Sequence, residues 1–204
     1  MGIKERKERE WHDRRNLILA AAADILANEG EKELSVRKIA NKIEYSPAII
    51  YHYFANKDDI MQNLLQEQYT ELTGIMQNLQ AEIKDPEERI REMLKAYAGW
   101  ALKRPSLYRA VLLNDSPLVL KSTSVLKPGA AQTRPAIDML QAAISELKGT
   151  SAGTADYEAV SQVIWAAIYG LIIRIIIEKP PEAYVEKLIT QYLDLVMHSL
   201  NATC

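Results

Sequence analysis

The chain is expected to be all-α, with a small N-terminal unit of three helices followed by a larger helical one, and three features carry that expectation. Only eight glycines occur in 204 residues, while Ala, Leu, Ile, Glu and Lys recur at helical spacing almost throughout. No segment alternates apolar and polar residues in the manner of a strand. Ser, Asp, Asn and Pro stand repeatedly at the head of the periodic segments, where they cap or pre-organise a first helical turn.

Taken in order, residues 14 to 29 place Leu17, Ile18, Ala21, Ala22, Ile25 and Leu26 on one stripe of an amphipathic helix that Gly30 can end. Ser35 is positioned to cap a second helix, VRKIANKI, with Leu34 stapled onto Ile39. The device repeats at once, with Tyr45 before the cap Ser46, Pro47 at the first helical position and Ile50 at the fourth. Two short helices joined across Glu44 to Ser46 form a helix-turn-helix. Asn56 then caps a long fourth helix whose first turn carries Asp58 and Asp59, the sign that the helix dipole favours there. Further helices are expected after Asp85-Pro86, after Arg104-Pro105 and over about 131 to 147, with a loop from Asn114 to Gly129 and a small-residue linker from Gly149 to Thr154. The most apolar segment, Val160 to Ile177, and a last helix after Pro180-Pro181 complete the chain. The domain boundary implied is 1–56 and 57–204.

Composition excludes several classes of function. The single cysteine, Cys204, rules out an intrachain disulfide and a cysteine metal cage, and fits a reducing cytoplasm. The N-terminus MGIKERKERE is charged, unlike a signal peptide, and the longest apolar run, Val163 to Ile173, stops at Arg174 short of the roughly 20 residues that span a bilayer. A soluble protein without a membrane partner is expected. His12, His52 and His198 are scattered, and neither a His-Glu-x-x-His pair nor a phosphate-cradling glycine loop occurs, so no enzyme, cofactor or metal site is expected.

The stretch SPAIIYHYFANK, residues 46 to 57, asks for a different explanation. At 3.6 residues per turn Ile50 and Phe54 share one side, and Pro47, Ala48, Tyr51 and His52 spread over the others. The formal net charge of the chain is −2, yet residues 35 to 57 hold four bases (Arg37, Lys38, Lys42, Lys57) against one acid (Glu44). A helix-turn-helix sets its second helix in the DNA major groove and grips phosphates with flanking groups. On that reading Pro47, Ala48 and Ile49 stand at the reading end, Tyr51 and Tyr53 offer hydroxyls to phosphates, His52 faces DNA or solvent, and Lys57 supplies charge. The competing reading makes the tyrosines part of the core or of its junction with the fourth helix. The preceding IKERKEREWHDRR is either an arm that enters a neighbouring minor groove or a solvated helix extension.

SVRKIANKIEYSPAIIYHYFANKDDI resembles the DNA-binding segment of the TetR family of bacterial transcription regulators, matching its pattern at Ser35, Ile39, Ala40, Ser46, Ile50, Tyr51, Tyr53, Phe54 and Lys57. Glu44 stands where the family pattern has a turn glycine, and Pro47 where it often has Lys or Arg. The resemblance implies that Arg37 and the start of the third helix (Ser46, Pro47, Ala48, Ile49) contact bases while Ser35, Tyr51, Tyr53 and Lys57 hold the backbone. It also implies a homodimer on a near-palindromic double-stranded operator, often at the regulator's own or an adjacent promoter, and an unidentified small-molecule effector enclosed by the C-terminal helices. Ligand release of a repressor is the sense implied. A helical ligand-binding or interaction protein with a decayed DNA surface is the alternative.

VSQVIWAAIYGLIIRIIIE is apolar nearly all round, so it must be covered on more than one side. Together with the stripe of the last helix it is expected to form a four-helix dimer interface, with Trp165, Gly170, Ile173, Ile177, Leu188, Tyr192 and Leu195 as candidates. WAAIYG resembles the Trp-x-x-x-His-Gly element of one C-terminal subgroup of the family, with Tyr169 in place of histidine. Candidate effector contacts are Met93, Tyr97, Trp100, Tyr108, Met139, Trp165 and Tyr169, all of which would also serve as plain core.

Overall fold

In the computed structural model, which describes residues 2–112, 117–149 and 157–202, every regular element is helical. The helices are α1 (Ile3–Asn28), α2 (Val36–Lys42), α3 (Pro47–Tyr53), α4 (Lys57–Glu82), α5 (Pro86–Leu102), α6 (Pro105–Leu112), α7 (Pro117–Thr123), α8 (Pro135–Leu147), α9 (Glu158–Glu178) and α10 (Glu182–Ala202), with 3₁₀ turns at Glu31–Glu33 and Ala131–Thr133. The caps read from sequence account for the starts of α2, α4 and α5. Ser35 Oγ accepts from the Lys38 amide at 3.2 Å, Asn56 Oδ1 from the Asp59 amide at 2.9 Å and Asp85 from the Glu88 amide at 2.8 Å. Ser46 occupies the cap of α3 without a side-chain cap bond, so Pro47 at the first position is what sets that start.

Two expectations are corrected. The stretch from Asn114 to Gly129 is not all loop, because Pro117 opens α7 at a first helical position; residues 114–116 lie outside those described. In α1 Leu17 is 44% exposed and Leu19 is buried, because the buried stripe centres on Ile18, Ala22 and Ile25 and leaves Leu17 beyond its edge.

The chain forms two compact units, Met1–Gln68 with Arg104–Thr123, and Tyr69–Lys103 with Ser124–Cys204. The boundary read from sequence falls at the start of α4, whereas the first unit runs on through that helix to Gln68 and takes in α6 and α7; α4 belongs to both units. The first core gathers Ile18, Ala22, Ile25 and Leu26 of α1, Leu34, Ile39 and Ala40 around α2, Ile50 and Phe54 of the third helix, and Ile60, Met61 and Leu64 of α4. Ser106 Oγ on α6 donates to the Ala27 carbonyl at 3.1 Å.

In the second unit α8 packs against α5 and α9, and α10 against α5 and α9. Arg89 on α5 is buried, donating to the Ile83 carbonyl at 3.2 Å and ion-paired with Glu146 of α8. At the head of α9 the Glu158 carboxylate accepts from the Gly129 and Ala131 amides, both at 2.9 Å, and these bonds hold it below the usual carboxylate range. The stabilisation from this clip is present above the unfolded-state value of about 4.3 and is lost as pH falls through the lower folded-state value. An NMR titration is expected to find the Glu158 carboxyl midpoint below 4.3 in that sense, about 4.3 being the ordinary value, with the Gly129 and Ala131 amide shifts moving together with it.

Counted as a whole helix, α9 is long and apolar enough, by length and composition alone, to cross a membrane, a test that the core helix of a soluble protein also passes. Its buried stripe, Ser161, Ile164, Trp165, Ile168, Ile172, Ile175 and Ile176, faces the core of the second unit.

Candidate nucleic-acid interface and effector site

The turn between α2 and α3 closes at Glu44, which adopts φ 58°, the left-handed conformation that a side chain disfavours. Backbone bonds Tyr45 N–H to Ala40 O (2.9 Å) and Glu44 N–H to Asn41 O (3.3 Å) hold it there. A glycine would take the same conformation without the Cβ clash. Glu44→Gly is therefore expected to stabilise the first unit by about 1 kcal/mol, read as a rise in thermal midpoint of several degrees; an unchanged midpoint would place no strain in the turn.

On α3 the two sides separate cleanly. Ile50 and Phe54 are buried (0% and 2% exposed), while Ile49 (36%), Tyr51 (57%), Ala48 and His52 face outward and Pro47 and Tyr53 are half-buried. Two large apolar side chains thus stand in solvent on a seven-residue helix whose core contacts are already filled. Tyr53 packs against the edge of the first core and meets Trp11 of α1, ring centroid to centroid 5.5 Å, with an edge contact from His52 at 5.4 Å. The Arg14 guanidinium donates to the Tyr53 hydroxyl oxygen, which raises Arg14 above its ordinary value and leaves the phenol proton to donate elsewhere.

The helix is seated from below by Arg15, whose guanidinium lies 5.5 Å from the Phe54 ring centroid and reaches Glu67 at 3.4 Å and Asn63 of α4. At the start of α4 Asp59 accepts from the Ala55 amide at 2.8 Å as its own amide donates to Asn56, fixing the chain entry where Lys57 stands half-buried.

Not all of the positive charge counted over residues 35 to 57 is turned outward. Lys38 is held by Glu29 (2.5 Å) and Glu33 (2.7 Å), which raise it, and Lys42 by Asp24 (2.6 Å). The acids come from α1 and the following 3₁₀ turn, so the segment's own composition does not reveal the pairing. Arg37 and Ser35 are exposed at the head of α2; Ser35 uses its oxygen lone pair on the cap and keeps its hydroxyl proton for an outside acceptor.

Of the effector candidates, Tyr97, Trp100 and Trp165 come together: Tyr97 and Trp165 ring centroids are 4.3 Å apart, and Tyr97 and Trp100 stack at 6.2 Å. Met93, one turn before Tyr97, and Met139 on α8 are buried in the same unit. Tyr169, one turn beyond Trp165, is half-buried, and burial pushes its phenol well above the ordinary range. Tyr108 belongs to the other compact unit. Among the described residues no cluster of three or more His, Cys, Asp or Glu could hold a metal ion.

The dimer candidates divide. Trp165 is buried against Tyr97 and Tyr192 donates to the Ile164 carbonyl at 2.5 Å, so both face inward within the unit. Ile177 (50%) and Leu195 (70%) face outward, and Gly170, Ile173 and Leu188 are half-exposed. Sequence reasoning missed Val160, Val163 and Tyr184, which are 38%, 66% and 51% exposed. With them, the outer side of α9 reads Val160, Val163, Ala167, Gly170, Arg174, Ile177 and that of α10 reads Tyr184, Leu188, Gln191, Leu195, both at alternating three- and four-residue spacing. That spacing was the available signal, hidden in α9 because apolar residues occupy every side.

Comparison with known proteins agrees with this geometry. Residues 18–64 match the family model for bacterial regulatory proteins of the tetR family, and residues 90–175 match the tetracyclin repressor-like C-terminal domain. The uncharacterized HTH-type transcriptional regulator Rv0472c of Mycobacterium tuberculosis is 28% identical over 116 residues, 54% of this chain and 49% of that protein. The chain thus spans about half the length of the curated relatives it matches. In fold it is similar to the fatty acid degradation regulator FadR from Bacillus halodurans (TM-score 0.70, 19% identity, 90% of this chain and 94% of the other). It is similar too to Thermus thermophilus FadR, a TetR family transcriptional repressor solved with lauroyl-CoA (TM-score 0.64, 18% identity, 91% and 92% covered). With both of its halves matched and a helix-turn-helix of the expected geometry, the chain belongs to the TetR family of bacterial transcription regulators.

Proposed function

We propose that this protein is a homodimeric, cytoplasmic transcription repressor that leaves a near-palindromic operator when a small apolar molecule binds its C-terminal unit. The observation that carries the DNA role is the outward side of α3, where Ala48, Ile49, Tyr51 and His52 stand exposed over a buried Ile50 and Phe54. Ala48 and Ile49 suit thymine methyl groups, and Arg37 is the guanine-reading candidate. Ser35, Tyr51, Tyr53 and Lys57 are assigned to phosphates.

The dimer reading is supported by the outer stripes of α9 and α10, apolar but for Arg174 and Gln191, which a symmetry mate would cover as a four-helix interface. For the effector, the support is the aromatic group Tyr97, Trp100 and Trp165 with Met93, Met139 and Tyr169 nearby. On this reading these residues would line a site for an acyl chain or ring system, in keeping with the lauroyl-CoA bound by one fold relative.

The test is fluorescence anisotropy of the purified protein against the duplex upstream of its own coding sequence, beside a scrambled duplex. A preference of about a thousandfold or more is expected. Lys57→Ala should lower the salt slope by about 0.9 per bound protomer, whereas Tyr51→Phe should cost affinity and keep the slope, since a phenol releases no counterion. Equal binding to both duplexes, with no sequence enriched from a random duplex pool, would favour the reading as a helical ligand-binding protein with a decayed DNA surface.

A further inference from the structure

The helix α1 begins at Ile3, well before the first core residue, Ile18, and its opening is tied down by the Gly2 amide donating to the Glu5 carboxylate at 2.9 Å. Continuous helix across residues 3 to 15 disposes of the minor-groove arm: a helix is about 10–12 Å across and the minor groove about 6 Å wide. What the extension presents is sorted by face. Lys4, Lys7, Trp11 and Arg14 fall at i, i+3, i+7 and i+10, continuing outward the side that further along buries Ile18 and Ile25. Arg6 and Arg9 lie away from this face with Glu5 and Asp13, while Glu8 and Glu10 flank it on either side; Glu10 pairs with Arg6 at 2.8 Å and also feels the charges of Lys7 and Arg14.

The basic face is docked to the reading helix at one point. Trp11, 39% exposed and outside the core, sets its ring 5.5 Å from that of Tyr53, and Arg14 donates to the Tyr53 oxygen. Lys7 and Lys4 therefore project from the same side of α1, one and two turns beyond the Trp11 contact with Tyr53. We infer that the N-terminal extension of α1 is a second DNA-backbone contact, in which Trp11 seats the helix on Tyr53 and Lys4, Lys7 and Arg14 track the phosphates flanking the site read by α3. From Lys4 to Arg14 is about 15 Å of helix, roughly four base-pair steps at 3.4 Å. The inference rests on the DNA reading proposed above and adds to it a contact that carries charge but no sequence information.

The test compares two charge-matched pairs on the full chain, Lys4→Gln/Lys7→Gln and Arg6→Gln/Arg9→Gln, by anisotropy against the upstream duplex over a salt series. All four side chains are exposed and glutamine keeps helix propensity, so an unchanged far-UV CD spectrum is expected for both. The first pair should lower the salt slope by about 1.8 per bound protomer, at about 0.9 for each lysine withdrawn from a phosphate, and the second should leave it near the wild-type value. Trp11→Ala, which removes no charge, should also lower the slope, because the lysines lose their seat. Equal slopes for the two pairs, or a slope untouched by Lys4→Gln/Lys7→Gln while Lys57→Ala lowers it, would overturn this inference and leave the DNA reading standing. A wild-type protein that binds no duplex would overturn both.

Discussion

Phe54→Ala is expected to cost the N-terminal unit about 3–5 kcal/mol, the largest effect of any single truncation near the reading helix. The ring is 2% exposed, packed with Ile50 and Ile60 in the first core and capped on one face by the Arg15 guanidinium at 5.5 Å. Removing it leaves a cavity and strips Arg15 of the surface that helps hold it against Asn63 and Glu67. A loss of that size is comparable with the whole stability of a small helical unit. The expected readout is therefore a separate low-temperature melting transition and loss of duplex binding, while the C-terminal unit still melts near its wild-type midpoint. Tyr51→Ala is the control, since Tyr51 is 57% exposed and should leave the melt alone while weakening binding. A Phe54→Ala protein with one unshifted transition would mean the core closes over the void.

Val163→Glu with Leu195→Glu is expected to convert the proposed homodimer to a monomer. These side chains are 66% and 70% exposed within the subunit, so neither substitution should disturb its own core. In a two-fold interface each change appears twice, placing four carboxylates on a surface that would otherwise be buried apolar area, at a desolvation cost of several kcal/mol. Analytical ultracentrifugation at micromolar protein should show a single monomeric species with wild-type helicity. Operator affinity should fall by at least about a hundredfold as the two half-sites cease to be linked. A double variant that sediments like the wild type would move the interface off α9 and α10.

The parts of the fold that follow from short-range physics were open to reading from residues alone. Ser35, Pro47, Asn56, Asp85 and Pro105 mark helix starts because a cap or a preset φ acts within one turn, and the structure has helices beginning beside each. The division of α3 into buried Ile50 and exposed Tyr51 and His52 follows from 3.6-residue periodicity, with the buried Phe54 at its C-cap. Legibility failed where the determining contact is distant. The membership of α6 and α7 in the first unit, across the intervening α5, is of that kind, whereas the start of α7 at Pro117 is a local signal that a reading as loop passes over.

For the candidate site the same line divides what sequence and structure each supply. The sequence by itself determined that the chain is helical, that a helix-turn-helix lies at residues 36 to 53, and that its second helix turns Tyr51 and His52 away from the side carrying Ile50, because capping, propensity and periodicity are local. Only the tertiary structure decided that Lys38 and Lys42 are tied to Glu29, Glu33 and Asp24, that Tyr53 rests on Trp11, and that Trp165 turns inward to Tyr97 while Val163 and Leu195 face out. The reason is that ion pairs, ring contacts and the sidedness of a helix apolar all round depend on which elements meet in space, and periodicity cannot encode a direction when every side carries the same kind of residue.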